Sequence, residues 1–293
     1  METARSSGPQ GMRSGSYRLG LVGQGIQLSR TPAMHEAEAA AQGLSCRYEL
    51  FDTDAGIGGW SADALPDILD RAEAQGFAGL NVTFPYKQAV IAHLHQLSDA
   101  ARRVGAVNTV VFRDGRRLGH NTDFSGFADS LRTGLPGAPM EDVLLIGAGG
   151  AGAALAHALA DVGAGRIRIA DTRPEAAQAL AAHVGPVAEA TEDIAQAAAA
   201  ASGIINATPV GMAKLPGCPI DPALLEPRHW VADIIYFPLE TAFLRAARAI
   251  GCRTTGGEGM AVFQAVHAFR LFTGRPADAE RMRATFQRLG GPG

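Results

Sequence analysis

The run Gly147-Ala148-Gly149-Gly150-Ala151-Gly152 follows the apolar stretch Val143-Leu144-Leu145-Ile146 and opens an Ala-rich segment. G-x-G-x-x-G between a strand and a helix suits a pyrophosphate. The first glycine permits a tight turn, the second lets backbone approach phosphate oxygens, and the third lets the helix pack close to the sheet. Unsatisfied N–H groups at the helix start favour negative charge. A second strand-like run, 166–170, ends at Asp171, nineteen residues after Gly152. A carboxylate there accepts hydrogen bonds from ribose hydroxyls and repels a 2′-phosphate, which predicts NAD over NADP. Arg173, two residues on, is a cation that complicates this preference. The cofactor-binding residues read from the motif are Gly147, Ala148, Gly149, Gly150, Ala151, Asp171 and Arg173.

A dinucleotide turn names no reaction, so the N-terminal half must supply the substrate. Three polar clusters sit there at strand ends, where α/β folds collect ligands. They are Ser29-Arg30-Thr31, the segment from Asn81 through Thr83 to Lys87, and Asn108-Thr109 with Asn121-Thr122-Asp123. Their donors and acceptors suit a polyhydroxylated acid. Hydride transfer from an alcohol also needs a group to take the hydroxyl proton, and Lys87 and Asp123 are the charged candidates. Each residue has a plainer reading. Lys87 reads as a surface lysine, Asp123 as an N-cap for a helix over 125–131, Ser29 and Thr31 as caps after Pro32, and Asn81 and Asn108 as strand ends.

The elements that must position these groups alternate along the chain. Strands are expected at 17–23, 46–52, 77–83 and 106–113, and helices at 32–42, 65–75 and 85–97. Asp114-Gly115 marks a hairpin returning through 118–120. The stretch 133–140, with two Gly and two Pro, reads as a linker. Beyond it, strands are expected at 143–146, 166–170, 203–206 and 231–235. Helices are expected at 150–162, 174–183, 239–250, 261–271 and 278–289. This alternation predicts a parallel-dominated α/β fold.

Composition narrows the function classes. Of 293 residues, 47% are hydrophobic and 19% charged, which is too apolar for a disordered chain. The formal charge of −3, with no long basic run, argues against nucleic acid and against a polybasic membrane anchor. The uncharged runs 143–160 and 194–213 carry Gly, Asn or Pro in place of the Leu/Ile/Phe that hydrocarbon favours, so no membrane span is expected. The segment 1–16 is Ser/Gly-rich without a signal-peptide core and reads as a flexible extension, with Met12 as an alternative start. Cys46, Cys218 and Cys252 lie far apart, a pattern for a reducing cytoplasm. No HExxH occurs, and His93 and His95 point apart on the expected helix, so no metal is expected.

Taken together, these segments resemble the shikimate dehydrogenase family over residues 19–272. The segments are GQGIQLSRTPAMHE, GLNVTFPYKQAV, GAVNTVV, GHNTDFSGF, VLLIGAGGAGAA, IINATPVGM, IIYFPLET and GEGMAVFQAVHAF. The resemblance implies an NAD(P)-dependent oxidoreductase of two α/β domains that interconverts a cyclic polyol acid and its 3-keto form. It implies that Lys87 is the catalytic lysine and Asp123 its partner, and that Ser29 and Thr31 hold the substrate carboxylate. It further implies hydroxyl-binding roles for Asn81, Thr83, Asn108 and Gln264. Tyr236 approaches the substrate from the cofactor side, and Thr208, Gly211, Met212 and Met260 lie near the nicotinamide. The loop Leu28-Ser29-Arg30-Thr31-Pro32, together with Asp171-Thr172-Arg173, resembles the quinate/shikimate branch, which favours NAD. The alternatives are an NADP-dependent biosynthetic or aminoshikimate enzyme and a non-catalytic NAD-binding sensor.

The resulting expectation is an N-terminal α/β substrate domain, residues 17–122 with 261–289, plus a Rossmann-type doubly wound dinucleotide-binding domain at 123–260. The active site would lie in the cleft between them, with hinge closure across the two connections. The expected partner is a small-molecule substrate, with the chain a monomer or homodimer.

Overall fold

The computed structural model describes residues 15–54 and 59–289. Nearly all of the expected extension 1–16 falls outside that range. The first half runs β1 (Ser16–Gly23), α1 (Thr31–Ala41), β2 (Ser45–Asp52), α2 (Leu65–Ala74), β3 (Gly79–Val82), β4 (Gln96–Leu97), α3 (Asp99–Val104), β5 (Thr109–Arg113) and β6 (Arg116–His120). Its strands form one mixed sheet in the order β2-β1-β3-β5-β6-β4. β1, β2 and β3 are parallel, and β5 and β6 form the hairpin. Asp114 and Gly115 both take positive φ, 53° and 69°, as a two-residue primed turn requires.

α4 (Thr122–Gly134) leads into the second half: β7 (Val143–Ile146), α5 (Gly150–Asp161), β8 (Ile167–Ala170), α6 (Pro174–Val184), β9 (Ala188–Ala190), α7 (Ile194–Ala200), β10 (Gly203–Asn206), β11 (Trp230–Asp233), α8 (Ala242–Ile250) and β12 (Arg253–Thr255). These strands form an all-parallel sheet in the order β9-β8-β7-β10-β11-β12. In chain order that is 3-2-1-4-5-6, the doubly wound dinucleotide topology. β7, β10 and β11 are buried along their whole length, as the near-continuous apolar runs of a parallel sheet covered on both faces must be.

α9 (Gly257–Thr273) and α10 (Ala279–Arg288) then turn back to the first sheet. Phe269, Met282 and Phe286 pack with Met34 of α1, and Phe272 packs with Leu19 and Leu21 of β1. Burying each such side chain contributes roughly 1.5–3 kcal/mol. α4 and α9 run against each other where two glycines remove side chains. A Cβ on Gly126 would lie 2.7 Å from the Gln264 nitrogen, and one on Gly259 would lie 2.2 Å from the Ser130 hydroxyl. The same two helices are joined by His267 Nε2 and Asp129 Oδ2 at 2.7 Å.

One expected element is different. Residues 85–97 do not form an α-helix. A turn follows Thr83, residues Ala89–His93 form a 3-10 turn, and β4 follows. His95 N–H donates to the Arg117 carbonyl and Ser98 N–H to the Gly119 carbonyl, so the chain is drawn alongside β6. His95 Nδ1 accepts from the Arg117 N–H, which gives that ring a structural partner.

Candidate active site

Lys87 and Asp123 meet. Their distance is 2.7 Å, Nζ to Oδ2, with the side chains 25% and 11% exposed. Lys87 follows the end of β3 through a turn in which Tyr86 N–H donates to the Thr83 carbonyl. The Tyr86 hydroxyl fixes that turn from behind, bonding to Thr53 Oγ1 at 2.7 Å and the Ala62 carbonyl at 2.8 Å. Asp123 stands in the first turn of α4. The N-cap is Asn121, whose Oδ1 accepts from Phe124 N–H, so Asp123 is freed from capping and reaches the lysine.

Behind the pair lies a buried polar network. Asn108 Oδ1 accepts from both Thr122 N–H (2.7 Å) and Thr122 Oγ1 (3.1 Å). The Thr122 N–H is donor only, so the oxygen of Asn108 must face inward. Its Nδ2 has no partner among the described residues and is the end left for a ligand. Asn81 differs. Its Oδ1 accepts from the Tyr48 hydroxyl at 2.8 Å, and its Nδ2 donates to Thr109 Oγ1 at 3.2 Å and the Asn108 carbonyl at 3.4 Å. Both ends of that amide are held by protein, which makes Asn81 part of the frame around Asn108. Tyr48 was not singled out from sequence; a tyrosine within strand β2 gives no polar signal of its own.

Ser29 and Thr31 straddle the start of α1. Ser29 Oγ accepts from Thr31 N–H at 3.3 Å, which leaves the serine proton free to donate outward. The N-cap position is Arg30, and no side chain caps the helix. Two hydroxyls at an uncapped helix N-terminus suit a carboxylate. Arg30 itself stacks over the Phe286 ring at 4.5 Å. Gln264 sits on α9 with its backbone against Gly126, one turn beyond Asp123, and its Nε2 donates to the Ala261 carbonyl.

In the second half, Gly147 adopts φ +107° and donates to the Ala170 carbonyl at 2.7 Å. A Cβ on Gly152 would lie 2.0 Å from the Gly147 oxygen, so only glycine lets α5 approach the turn. Cβ atoms on Gly149 and Gly150 would meet nothing within 4 Å. Gly149 also has an ordinary φ of −77° and is the uncapped N-cap of α5. Nothing in the protein therefore demands glycine at 149, whereas a phosphate approaching the backbone would. The turn fits a dinucleotide.

Asp171 closes the other side. Its Oδ2 accepts from Ala148 N–H at 2.7 Å and its Oδ1 from Arg173 N–H at 2.9 Å. Burial alone would raise this carboxyl pKa, but those N–H groups and the nearby Arg173 guanidinium hold it below the ordinary value. Arg173 reaches to 3.5 Å from it with a largely exposed side chain.

The loop after β10 carries Thr208, Gly211 and Met212. Thr208 N–H and Oγ1 both bond to Asn206 Oδ1, and Gly211 takes φ +112°. Asn206 Nδ2 donates to the Val210 carbonyl and to Asp233 Oδ1, and Asp233 Oδ2 accepts from Thr241 Oγ1. Burial raises the Asp233 pKa. Asn206 and Asp233 escaped the sequence reading, although polar residues ending two adjacent parallel strands were a signal for them. Met212 is exposed, whereas Met260 is buried in the core beside Phe127 and Trp230. Tyr236, after β11, is 46% exposed and packs edge-on to Phe286. Desolvation raises its phenol pKa; Lys87 lowers it, Asp123 raises it and Arg30 lowers it. Tyr236, in the loop after β11, is thus within electrostatic reach of Lys87, Asp123 and Arg30. Among the described residues no helix is long and apolar enough to cross a membrane, and no His/Cys/Asp/Glu group is placed to hold a metal.

Comparison with known proteins bears on this geometry. The shikimate dehydrogenase substrate binding domain matches residues 21–110, and the shikimate 5′-dehydrogenase C-terminal domain matches residues 257–285. A protein of Streptomyces avermitilis named shikimate dehydrogenase (NADP(+)) is 51% identical over 96% of this chain and 98% of its own. One of Corynebacterium efficiens named quinate/shikimate dehydrogenase (NAD(+)) is 50% identical over 95% and 100%. The solved quinate dehydrogenase from Corynebacterium glutamicum in complex with NAD superposes with a TM-score of 0.89 at 46% identity, covering 94% of this chain and 100% of that one. The chain belongs to the shikimate dehydrogenase family.

Proposed function

We propose that this member of the shikimate dehydrogenase family is an NAD-preferring quinate/shikimate dehydrogenase, an oxidoreductase acting on CH–OH at C3 of a cyclic polyol acid. The observation that carries the reading is the 2.7 Å Lys87–Asp123 pair, with Tyr236 of the loop after β11 within electrostatic reach of it. A nicotinamide dinucleotide, when bound, would supply the hydride in one direction and accept it in the other. Gly147 to Gly150 and the α5 N-terminus would hold its phosphates, and Asp171 its ribose hydroxyls.

In the alcohol-to-ketone direction, neutral Lys87 Nζ takes the proton of the substrate hydroxyl while Asp123 accepts a hydrogen bond from it. In reverse, the Lys87 ammonium donates to the ketone oxygen. A cation at that oxygen also stabilises negative charge as it develops. Asp123 holds the lysine in either direction, and such positioned proton transfer is worth about 10²–10⁴ in rate. The Ser29 and Thr31 hydroxyls donate to the substrate carboxylate, and Asn108 Nδ2 donates to a ring hydroxyl. The free cysteines suit a reducing compartment, and we place the enzyme in the cytoplasm.

A second reading, NADP use, draws on the exposed Arg173 guanidinium beside Asp171. Initial rates for quinate and shikimate, each with NAD and with NADP, decide the matter. A kcat/KM at least tenfold higher with NAD supports the proposal. A higher value with NADP selects the second reading, and turnover of neither acid removes both.

A further inference from the structure

β2 contributes none of the residues proposed to touch substrate, yet its last residue is a carboxylate that is 1% exposed. Asp52 Oδ1 accepts from Gly25 N–H at 2.9 Å and Asp54 N–H at 3.0 Å. Oδ2 accepts from Ile26 N–H at 3.0 Å and Gln27 Nε2 at 2.9 Å. All four donors are uncharged. Burial would raise this carboxyl, but the four hydrogen bonds outweigh it and hold the pKa below its ordinary value.

Three of those donors belong to consecutive residues of the loop that leads to Ser29. Gly25 bends the chain with φ +66°, Gln27 folds its amide inward, and Leu28 is left 82% exposed. Ser29 N–H then closes back on the Ile26 carbonyl at 2.9 Å. Among the described residues, the loop's other ties to the body are one backbone bond, Gln24 N–H to the Phe84 carbonyl, and the Ile26 side chain, which is buried with Leu19, Leu21 and Tyr48. We propose that Asp52 is a positioning residue for the acid substrate: by clamping residues 25–27 it fixes where Ser29 and Thr31 present their hydroxyls to the carboxylate. This rests on the function proposed above. Ordering the loop before binding removes an entropic cost from each binding event, so the effect falls on substrate affinity more than on the chemical step.

The test is Asp52→Asn, which keeps the shape but turns one acceptor oxygen into a donor facing two N–H groups. Expected are a rise of about tenfold in KM for the hydroxy acid, a kcat within about threefold, and an unchanged KM for the dinucleotide. Gln27→Ala, which removes one surface donor, should raise the same KM about threefold without lowering the melting temperature. A merely structural aspartate would instead lower kcat through loss of folded enzyme and leave KM alone. That result, or a KM within twofold of wild type in both variants, overturns the proposal. Amide exchange at Gly25 and Ile26 reads the clamp independently of turnover. Exchange about tenfold faster in Asp52→Asn is expected, and unchanged exchange overturns the clamp even if the parent enzyme proves to use another substrate.

Discussion

Gly149 and Gly152 occupy one turn but are glycine for different reasons, and alanine at each separates the two. At 152 the added Cβ would sit 2.0 Å from the Gly147 oxygen and 2.9 Å from its carbonyl carbon. Both are backbone atoms, so α5 would have to move by more than 1 Å to restore an ordinary contact of about 3.4 Å. Overpacking of this kind costs about 1–3 kcal/mol, which for a chain of this size lowers the melting temperature by roughly 2–10 °C. At 149 the Cβ would meet nothing within 4 Å and φ is ordinary, so Gly149→Ala should melt within about 1 °C of the parent. Its methyl instead occupies space that a phosphate needs, and the dinucleotide dissociation constant should rise about 10- to 100-fold. Thermal unfolding without ligand, paired with titration of NADH fluorescence, reads both quantities. Gly149→Ala that binds NADH as tightly as the parent would refute the phosphate turn. Gly152→Ala that melts like the parent would refute the close approach of α5.

Asp171→Asn removes the charge that opposes a 2′-phosphate and leaves one of the Ala148 and Arg173 N–H groups without its acceptor. The NAD to NADP ratio of kcat/KM should fall about tenfold or more, through a loss with NAD and a gain with NADP, and steady-state rates check both. His35 is fully buried without a hydrogen-bond partner at either nitrogen among the described residues, and burial pushes its pKa down to about 3. Below pH 6.5 the unfolded chain takes up a proton that the folded chain refuses, so stability falls as pH drops. By pH 5 this costs about 2 kcal/mol. His35→Leu should flatten that part of the urea-midpoint profile between pH 7 and 5, and an unchanged slope would show that another group carries it.

How much of this was legible in the sequence varied with how local the cause was. The glycine turn and the strands flanking it could be read because turn geometry and continuous apolar runs are short-range properties. The residues of the Lys87–Asp123 pair could be picked out by type, but their meeting could not be derived from spacing. It came from likeness to a family, because 36 residues and four elements separate them and only the fold joins them. The segment 85–97 misled because Val90, Ile91 and Leu94 carry a helical period, whereas pairing of β4 with β6 decided its conformation. β9 and β12, three residues each at sheet edges, carry too little pattern to be seen. α3 has a Ser98 cap and a closing Gly105, but its six residues are too few to show a helical period. Asn81 was legible as polar and important, but its engagement by Tyr48 from β2 depends on the register of neighbouring strands. Asp52 was invisible for the same reason, since its four donors lie on a loop more than twenty residues upstream or in its own turn.

The most direct measurement is single-turnover hydride transfer in Lys87→Ala, with the hydroxy acid and NAD both saturating and NADH appearance followed by absorbance. The rate should fall by about 10²–10⁴, with the dissociation constants of NAD and of the acid within about fivefold of the parent. A hydride-transfer rate within threefold of the parent would contradict the assignment of Lys87 as the group that moves the proton.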